Sequence, residues 1–202
     1  MGLDFENLKQ NNKPGKIIDE IYLRKSSRKY SNQVISEQQI KELLDAAIHA
    51  PSAMNRQPWA FVVIQQAELL KQISDAAKKR ILESAAWAKD LEHKNIPLDN
   101  PEFDIFYGAK TLIVICMKQE EGFCPVGDCY LAGENLMLAA QGLGLGTCAI
   151  GFARDILQTD EFRKKLSISS DYLPVLPIIV GYSLDVSVKA ARNEVPIVNW
   201  LK

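Results

Sequence analysis

Residues 24–30 read Arg24-Lys25-Ser26-Ser27-Arg28-Lys29-Tyr30, the densest basic run in a chain of 202 residues. In an extended backbone, period two sets Arg24, Ser26 and Arg28 on one side and Lys25, Ser27 and Lys29 on the other. Two guanidinium forks and a hydroxyl on one face make a cradle for a phosphate. A solvated basic turn would use the same residues. The second constellation is Pro51-Ser52-Ala53-Met54-Asn55-Arg56-Gln57-Pro58-Trp59, which sets a hydroxyl and two amides between prolines. On a loop fixed between core elements, such amides read a ligand that offers both donors and acceptors. Local Asx-type turn bonds are the alternative.

Other patterns carry less. Gly144-Leu145-Gly146-Thr147-Cys148-Ala149 has the letters of a dinucleotide fingerprint, but it follows a helical pattern and precedes a strand pattern. The fingerprint needs strand, turn and helix in that order, so that reading is set aside. His49 and His93 are the two histidines, and neither sits at triad or metal-ligand spacing from a cysteine or carboxylate, so no metal site is expected. Cys116, Cys124, Cys129 and Cys148 contain no C-x-x-C and read as reduced, packed thiols, with Cys124 and Cys129 left open as redox-active.

These segments must be positioned by something, and the elements around them are legible. Ile17, Ile18, Ile21 and Tyr22 mark a helix leading into the basic run. Ser36 and Gln39 form a capping box ahead of Ile40, Leu43, Leu44, Ala47 and Ile48, a helix that must stop near Pro51. The 51–58 loop then enters a strand over Trp59–Ile64. Helical stretches are expected over Glu68–Asp90, Asp128–Leu143 and Thr159–Leu166. Strands are expected over Thr111–Met117, Cys148–Phe152 and Val175–Tyr182, and 95–104 is a loop. The sum is an α+β chain with no internal repeat or linker, hence one domain over 1–202, with a polar arm over 1–15 and an apolar tail over 194–202 that docks, for instance on another subunit.

Composition bounds the partners. Lys+Arg number 24 against 25 Asp+Glu, a formal net charge of −1, which gives no basic excess for nucleic acid or an anionic membrane surface. The longest apolar runs fall far short of a membrane span, and Glu6 stands where a myristoylation signal needs Ser or Thr. A cytoplasmic, reducing location is the expectation.

Taken in order, Arg24-x-Ser26-x-Arg28-x-Tyr30, Pro51-Ser52-x-x-Asn55-x-Gln57-Pro58-Trp59, Glu134-Asn135-Leu136-Met137-Leu138-Ala139-Ala140 and Gly142-Leu143-Gly144-Leu145-Gly146-Thr147-Cys148 resemble the nitroreductase family of FMN-dependent oxidoreductases. The resemblance implies a central, mainly antiparallel sheet flanked by helices, and a homodimer in which the C-terminal tail is exchanged or docked. It implies that Arg24 and Ser26 face the FMN phosphate, that Arg28 lies nearer the N1/O2 edge of the ring, and that Lys25 is a further cofactor-binding residue. Pro51, Ser52, Ala53, Met54, Asn55 and Gln57 would complete the site of the other subunit. Ile150 and Gly151 would turn backbone amides to flavin N5, and Arg192, helped by Lys189, would return to the phosphate. No single one of Lys78, Lys79 and Arg80 matches a further contact.

The implied reaction is ping-pong hydride transfer. NAD(P)H reduces FMN and leaves, and an oxidised acceptor such as a nitroaromatic or quinone takes its place; the flavin carries the chemistry, so no catalytic acid or base is demanded of the chain. Acceptor choice is expected on the aromatic-rich stretch Trp87–Tyr107 together with Phe123–Pro125, with Trp87 and Phe103 as the candidate acceptor contacts, while Phe106 and Tyr107, which adjoin a strand, read equally as core. A specialised flavin enzyme of the same fold, dehalogenase-like or flavin-fragmenting, and a flavin- or nucleotide-binding module without turnover are the competing readings.

Overall fold

The computed structural model describes residues 16–84, 96–120, 122–185 and 190–201. In chain order the elements are α1 (Lys16–Leu23), α2 (Glu37–Ile48), β1 (Trp59–Ile64), α3 (Ala67–Leu82), β2 (Thr111–Lys118), α4 (Val126–Gly142), β3 (Gly146–Ala149), α5 (Gly151–Leu157), α6 (Asp160–Lys165) and β4 (Tyr172–Gly181). The four strands form one antiparallel sheet in the order β1-β2-β4-β3.

Helices cover both faces, which is why the central strands are apolar at nearly every position between their ends. Along β2, Leu112, Val114 and Cys116 face a core shared with Ile73, Ala77 and Ile81 of α3, Leu157 of α5 and Phe162 of α6. The alternate residues Ile113, Ile115 and Met117 face Leu43 and Ala47 of α2 and Ala132, Leu136 and Ala140 of α4. The low charge of α4 follows from this position. At the sheet's edge, the outer side of β1 has no strand partner among the described residues.

Local chemistry sets several boundaries. The Ser36–Gln39 capping box closes in both directions, Gln39 N–H donating to Ser36 Oγ and Ser36 N–H to Gln39 Oε1. Thr159 caps α6 by accepting from Phe162 N–H. Two expectations need correction. The helix expected over Glu68–Asp90 ends at Leu82, where Glu83 N–H turns back to Lys79 and Ile81 carbonyls, and an acidic side chain is poorly placed at the negative end of the helix dipole. Positions 85–90 of that stretch lie outside the described residues. The strand expected over Cys148–Phe152 is β3, Gly146–Ala149: Ile150 donates its N–H to Pro177 O at 2.8 Å, and the chain then turns at once into α5. β4 also starts earlier than the apolar run, at Tyr172, and carries Pro174 at an irregularity in its register with β2.

Candidate functional site

Arg24 leaves the last turn of α1, its N–H still donating to Glu20 O. The chain then extends along the end of the sheet. Ser26 pairs in parallel with Thr147 of β3, Ser27 N–H donates to Thr147 O at 2.9 Å, and Tyr30 bridges to Ser183 beyond β4. Gly146 makes this approach possible, because a Cβ there would stand 2.5 Å from Ser27 Oγ and 2.6 Å from Ser183 Cβ. Tyr30 lies beneath the segment with its hydroxyl donating to Ser27 O at 2.9 Å, and burial raises its pKa far above the usual phenol value.

The segment forms one wall of a cavity of about 450 Å³ lined by Arg24, Lys25, Ser26, Arg28, Asp185, Ala190 and Arg192. The residues predicted from positions 24–28 therefore meet Arg192 from the far end of the chain. Lys25 is among the residues that line the cavity, although alternation sets its side chain on the opposite side from Arg24. Its Nζ is buried and has no hydrogen-bond partner. The other charges are engaged. Arg24 Nε lies 3.3 Å from Glu134 Oε1 of α4, and Asp185 Oδ2 accepts the Arg28 backbone N–H at 2.9 Å.

Behind the cavity, Cys148 is buried, which pushes its thiol above the usual value. Arg28, the Ser26 hydroxyl and Arg24 oppose that shift. The Tyr107 phenol is raised by partial burial and is opposed by the charge and hydrogen bond of Arg28, while its ring stands edge-on to Phe103 with centroids 5.8 Å apart.

The loop Pro51–Pro58 lies elsewhere in the chain. Met54 (φ 51°), Asn55 (φ 54°) and Gln57 (φ 48°) all adopt left-handed backbone, costing about 1 kcal/mol or more at each non-glycine position. Bonds that hold the loop are Asn55 N–H to Ser52 O, Gln57 N–H to Ser52 Oγ at 3.0 Å, Gln57 Nε2 to Asn55 Oδ1 at 3.1 Å and Ala53 N–H to Asp128 Oδ2 at 3.1 Å. Asp128, which holds the loop, and Glu134, which holds Arg24, are separated by about 9 Å along α4 and roughly 120° around it. No cavity among those described is lined by both the loop and the basic segment.

The other expected contacts are dispersed. Gly151 lines a cleft of about 300 Å³ with Arg80, Glu83, Ser84 and Phe152, while the Ile150 side chain is buried. Phe103 lines a different cleft of about 270 Å³ between α3 and the 101–110 segment. Lys78 is committed to that segment, its Nζ donating to Phe103 O at 2.7 Å and Pro101 O at 3.1 Å beside Asp75. Trp87 and Lys189 lie outside the described residues. Asp185 carries no sequence signal as a single acidic residue in a polar turn, and Glu134, though it opens one of the segments that carry the resemblance, has no role that sequence reasoning assigned. Among the described residues no group of three or more His, Cys, Asp or Glu is placed to hold a metal, and no helix is long and apolar enough to cross a membrane.

Comparison with known proteins adds to this geometry. The sequence model of a family described as "Nitroreductase family" matches residues 21–182. A relative from Archaeoglobus fulgidus is 32% identical, the alignment spanning 82% of this chain and 84% of the relative. The nitrobenzene nitroreductase of Ectopseudomonas oleovorans is 26% identical over 83% of this chain and 86% of its own. Among solved structures, an FMN-dependent nitroreductase from Clostridium difficile superposes with a TM-score of 0.74 at 30% identity, covering 93% of this chain and 99% of that one.

Proposed function

The chain belongs to the nitroreductase family, and from that premise we propose that it is an FMN-dependent NAD(P)H oxidoreductase, acting as a cytoplasmic homodimer on nitroaromatic, quinone or related acceptors. The observation that carries the cofactor is the gathering of Arg24, Lys25, Ser26, Arg28 and Arg192 around one cavity, with the Lys25 ammonium buried and without a hydrogen-bond partner. An ammonium removed from water needs compensation, and a phosphate dianion supplies it. The donor set fits the phosphate end of FMN.

FMN, when bound, supplies the hydride-transfer chemistry, and the chain supplies position and charge. Arg24, Lys25, Ser26 and Arg192 would hold the phosphate, with Lys189 as a helper. Arg28, steadied through its backbone by Asp185 and adjoining Tyr107, would place a fixed positive charge that favours the electron-rich form of the ring. Ile150 and Gly151 would offer backbone amides, and Phe103, edge-on to Tyr107, would meet the acceptor together with Trp87.

A homodimer fits three features of the single chain. The loop bearing Ser52, Asn55 and Gln57 is held on a different flank of α4 from Arg24, so it would serve a partner's cavity. Val195, Ile197, Val198, Trp200 and Leu201 of the tail are exposed, Val198 fully. The outer edge of β1, which has no strand partner among the described residues, is open to such a tail.

The test is a visible spectrum. The purified protein should be yellow with a flavin spectrum, bleach anaerobically on adding NADH or NADPH, and regain its colour on adding a quinone or nitroaromatic. A protein that binds FMN but is not bleached by either nucleotide would favour a binding module instead.

A further inference from the structure

Arg56 stands between Asn55 and Gln57, and it alone of the three has ordinary right-handed backbone, φ −72° and ψ −23°. Its side chain does not join the amides of the loop. It crosses to the segment that follows β2, where Nη1 donates to Glu120 Oε2 at 3.0 Å and the guanidinium lies 4.5 Å from the centroid of the Phe123 ring. Glu120 and Phe123 are themselves tied, by a β-bridge and by Phe123 N–H donating to Glu120 O at 3.3 Å. Ion pair and ring therefore form one preassembled socket. Lys118 Nζ stands 3.8 Å from the other Glu120 oxygen, so the carboxylate faces two cations.

A loop with three left-handed non-glycine residues relaxes unless something outside it holds it. Its internal bonds all run among Ser52, Ala53, Asn55, Arg56 and Gln57, and they would survive a rigid swing of the loop. Among the described residues, Ala53 to Asp128, Arg56 to the Glu120–Phe123 socket and, at the junction with β1, Lys118 N–H to Pro58 O at 2.7 Å tie it to the body of the chain, and the Arg56 contacts are the ones made by a side chain of the loop. Asp128 anchors its entry and Arg56 its exit.

We infer that Arg56 is a positioning residue: by seating its guanidinium on Glu120 and Phe123, it holds Asn55 and Gln57 in the strained conformation in which they meet the flavin. This rests on the reading that the 51–57 loop completes an FMN site. Arg56 itself touches no cofactor in this account. Its effect is the ordering of the loop before the ligand arrives, which lowers what binding must spend on ordering it.

The experiment compares full-length wild type with Arg56→Ala, Arg56→Lys and Asn55→Ala by amide hydrogen exchange and by FMN titration. Arg56→Ala should speed exchange at the Asn55 and Gln57 amides and weaken FMN by about tenfold, while turnover at saturating FMN stays within about twofold. Arg56→Lys keeps the ion pair but not the planar stacking, and it should recover part of the affinity. Asn55→Ala, which also removes the Gln57 Nε2 bond, should weaken FMN with a smaller rise in exchange at Gln57 than Arg56→Ala gives. Unchanged exchange in Arg56→Ala would overturn the clamp. Weaker FMN in Asn55→Ala with full affinity in Arg56→Ala would overturn the positioning role and leave the loop's part in the site standing. Full affinity in Asn55→Ala would remove the loop from the flavin site, and the role of Arg56 with it.

Discussion

Arg24 Nε and Glu134 Oε1 are 3.3 Å apart, an ion pair between the end of α1 and the middle of α4 that fixes one guanidinium at the mouth of the cationic cavity. Arg24 is the more buried partner, and Glu134 is about half exposed, so the pair orients more than it stabilises. Arg24→Ala should cost about 1.5–3 kcal/mol of FMN binding, roughly tenfold to a hundredfold in affinity. Glu134→Gln should shift it by no more than about threefold. Fluorescence titration of FMN against the two variants checks the order.

Gly146 is the position where β3 and the basic segment come closest. Gly146→Ala sets a methyl group against Ser27 and Ser183, neither of which is the end of a flexible side chain. The expected cost is about 1–3 kcal/mol, or a Tm lower by roughly 2–10 °C. FMN retention should fall with it, since Ser26 is held beside Thr147 of the same strand. Calorimetry and bound-flavin absorbance measure the two effects on one sample.

Lys78 is tied to two carbonyls of the 101–103 turn, which assigns it to holding that turn. Lys78→Met should leave those carbonyls unsatisfied, destabilise the fold by about 1–3 kcal/mol, and leave FMN affinity within about threefold. A large loss of FMN affinity in a well-folded Lys78→Met would return Lys78 to the cofactor site.

Burial pushes the Cys116 and Cys129 thiols up to about 12 from the usual 9.0, and raises Cys148 as well. Native protein should therefore expose one fast thiol, Cys124, to a disulfide reagent, and unfolded protein all four. The folded-state values are raised, so the unfolded chain gives up these protons first. Stability is complete below about pH 8.5 and falls as pH climbs toward 12. Urea unfolding between pH 7 and pH 11 should show that fall, and it should be shallower in Cys116→Val.

What the sequence made legible is mostly what local chemistry decides. Ser36 and Gln39 mark their helix because the cap is three residues wide, and Trp59–Ile64 reads as a strand because aromatic and β-branched residues fill a covered sheet. The return of Arg192 to Arg24 spans nearly the whole chain, and spacing alone carries no trace of it; resemblance to a family placed it. Alternation sets Lys25 opposite Arg24, and it carries no sign that the Lys25 ammonium is buried without a hydrogen-bond partner. The strain at Met54 and Gln57 has no compositional signal, since neither residue type favours left-handed backbone. Glu83, with no glycine or proline near it, hides the end of α3.

The central claim is that the cavity between Arg24 and Arg192 is a phosphate site, and paired titrations with FMN and riboflavin test it most directly, because the two ligands differ only in the phosphate. Wild type should bind FMN about a hundredfold or more tightly than riboflavin, as two or more charge-assisted hydrogen bonds imply, and Lys25→Ala should narrow that gap by lowering FMN affinity alone. Equal affinities for the two ligands in wild type, or a gap that Lys25→Ala leaves untouched, would contradict it.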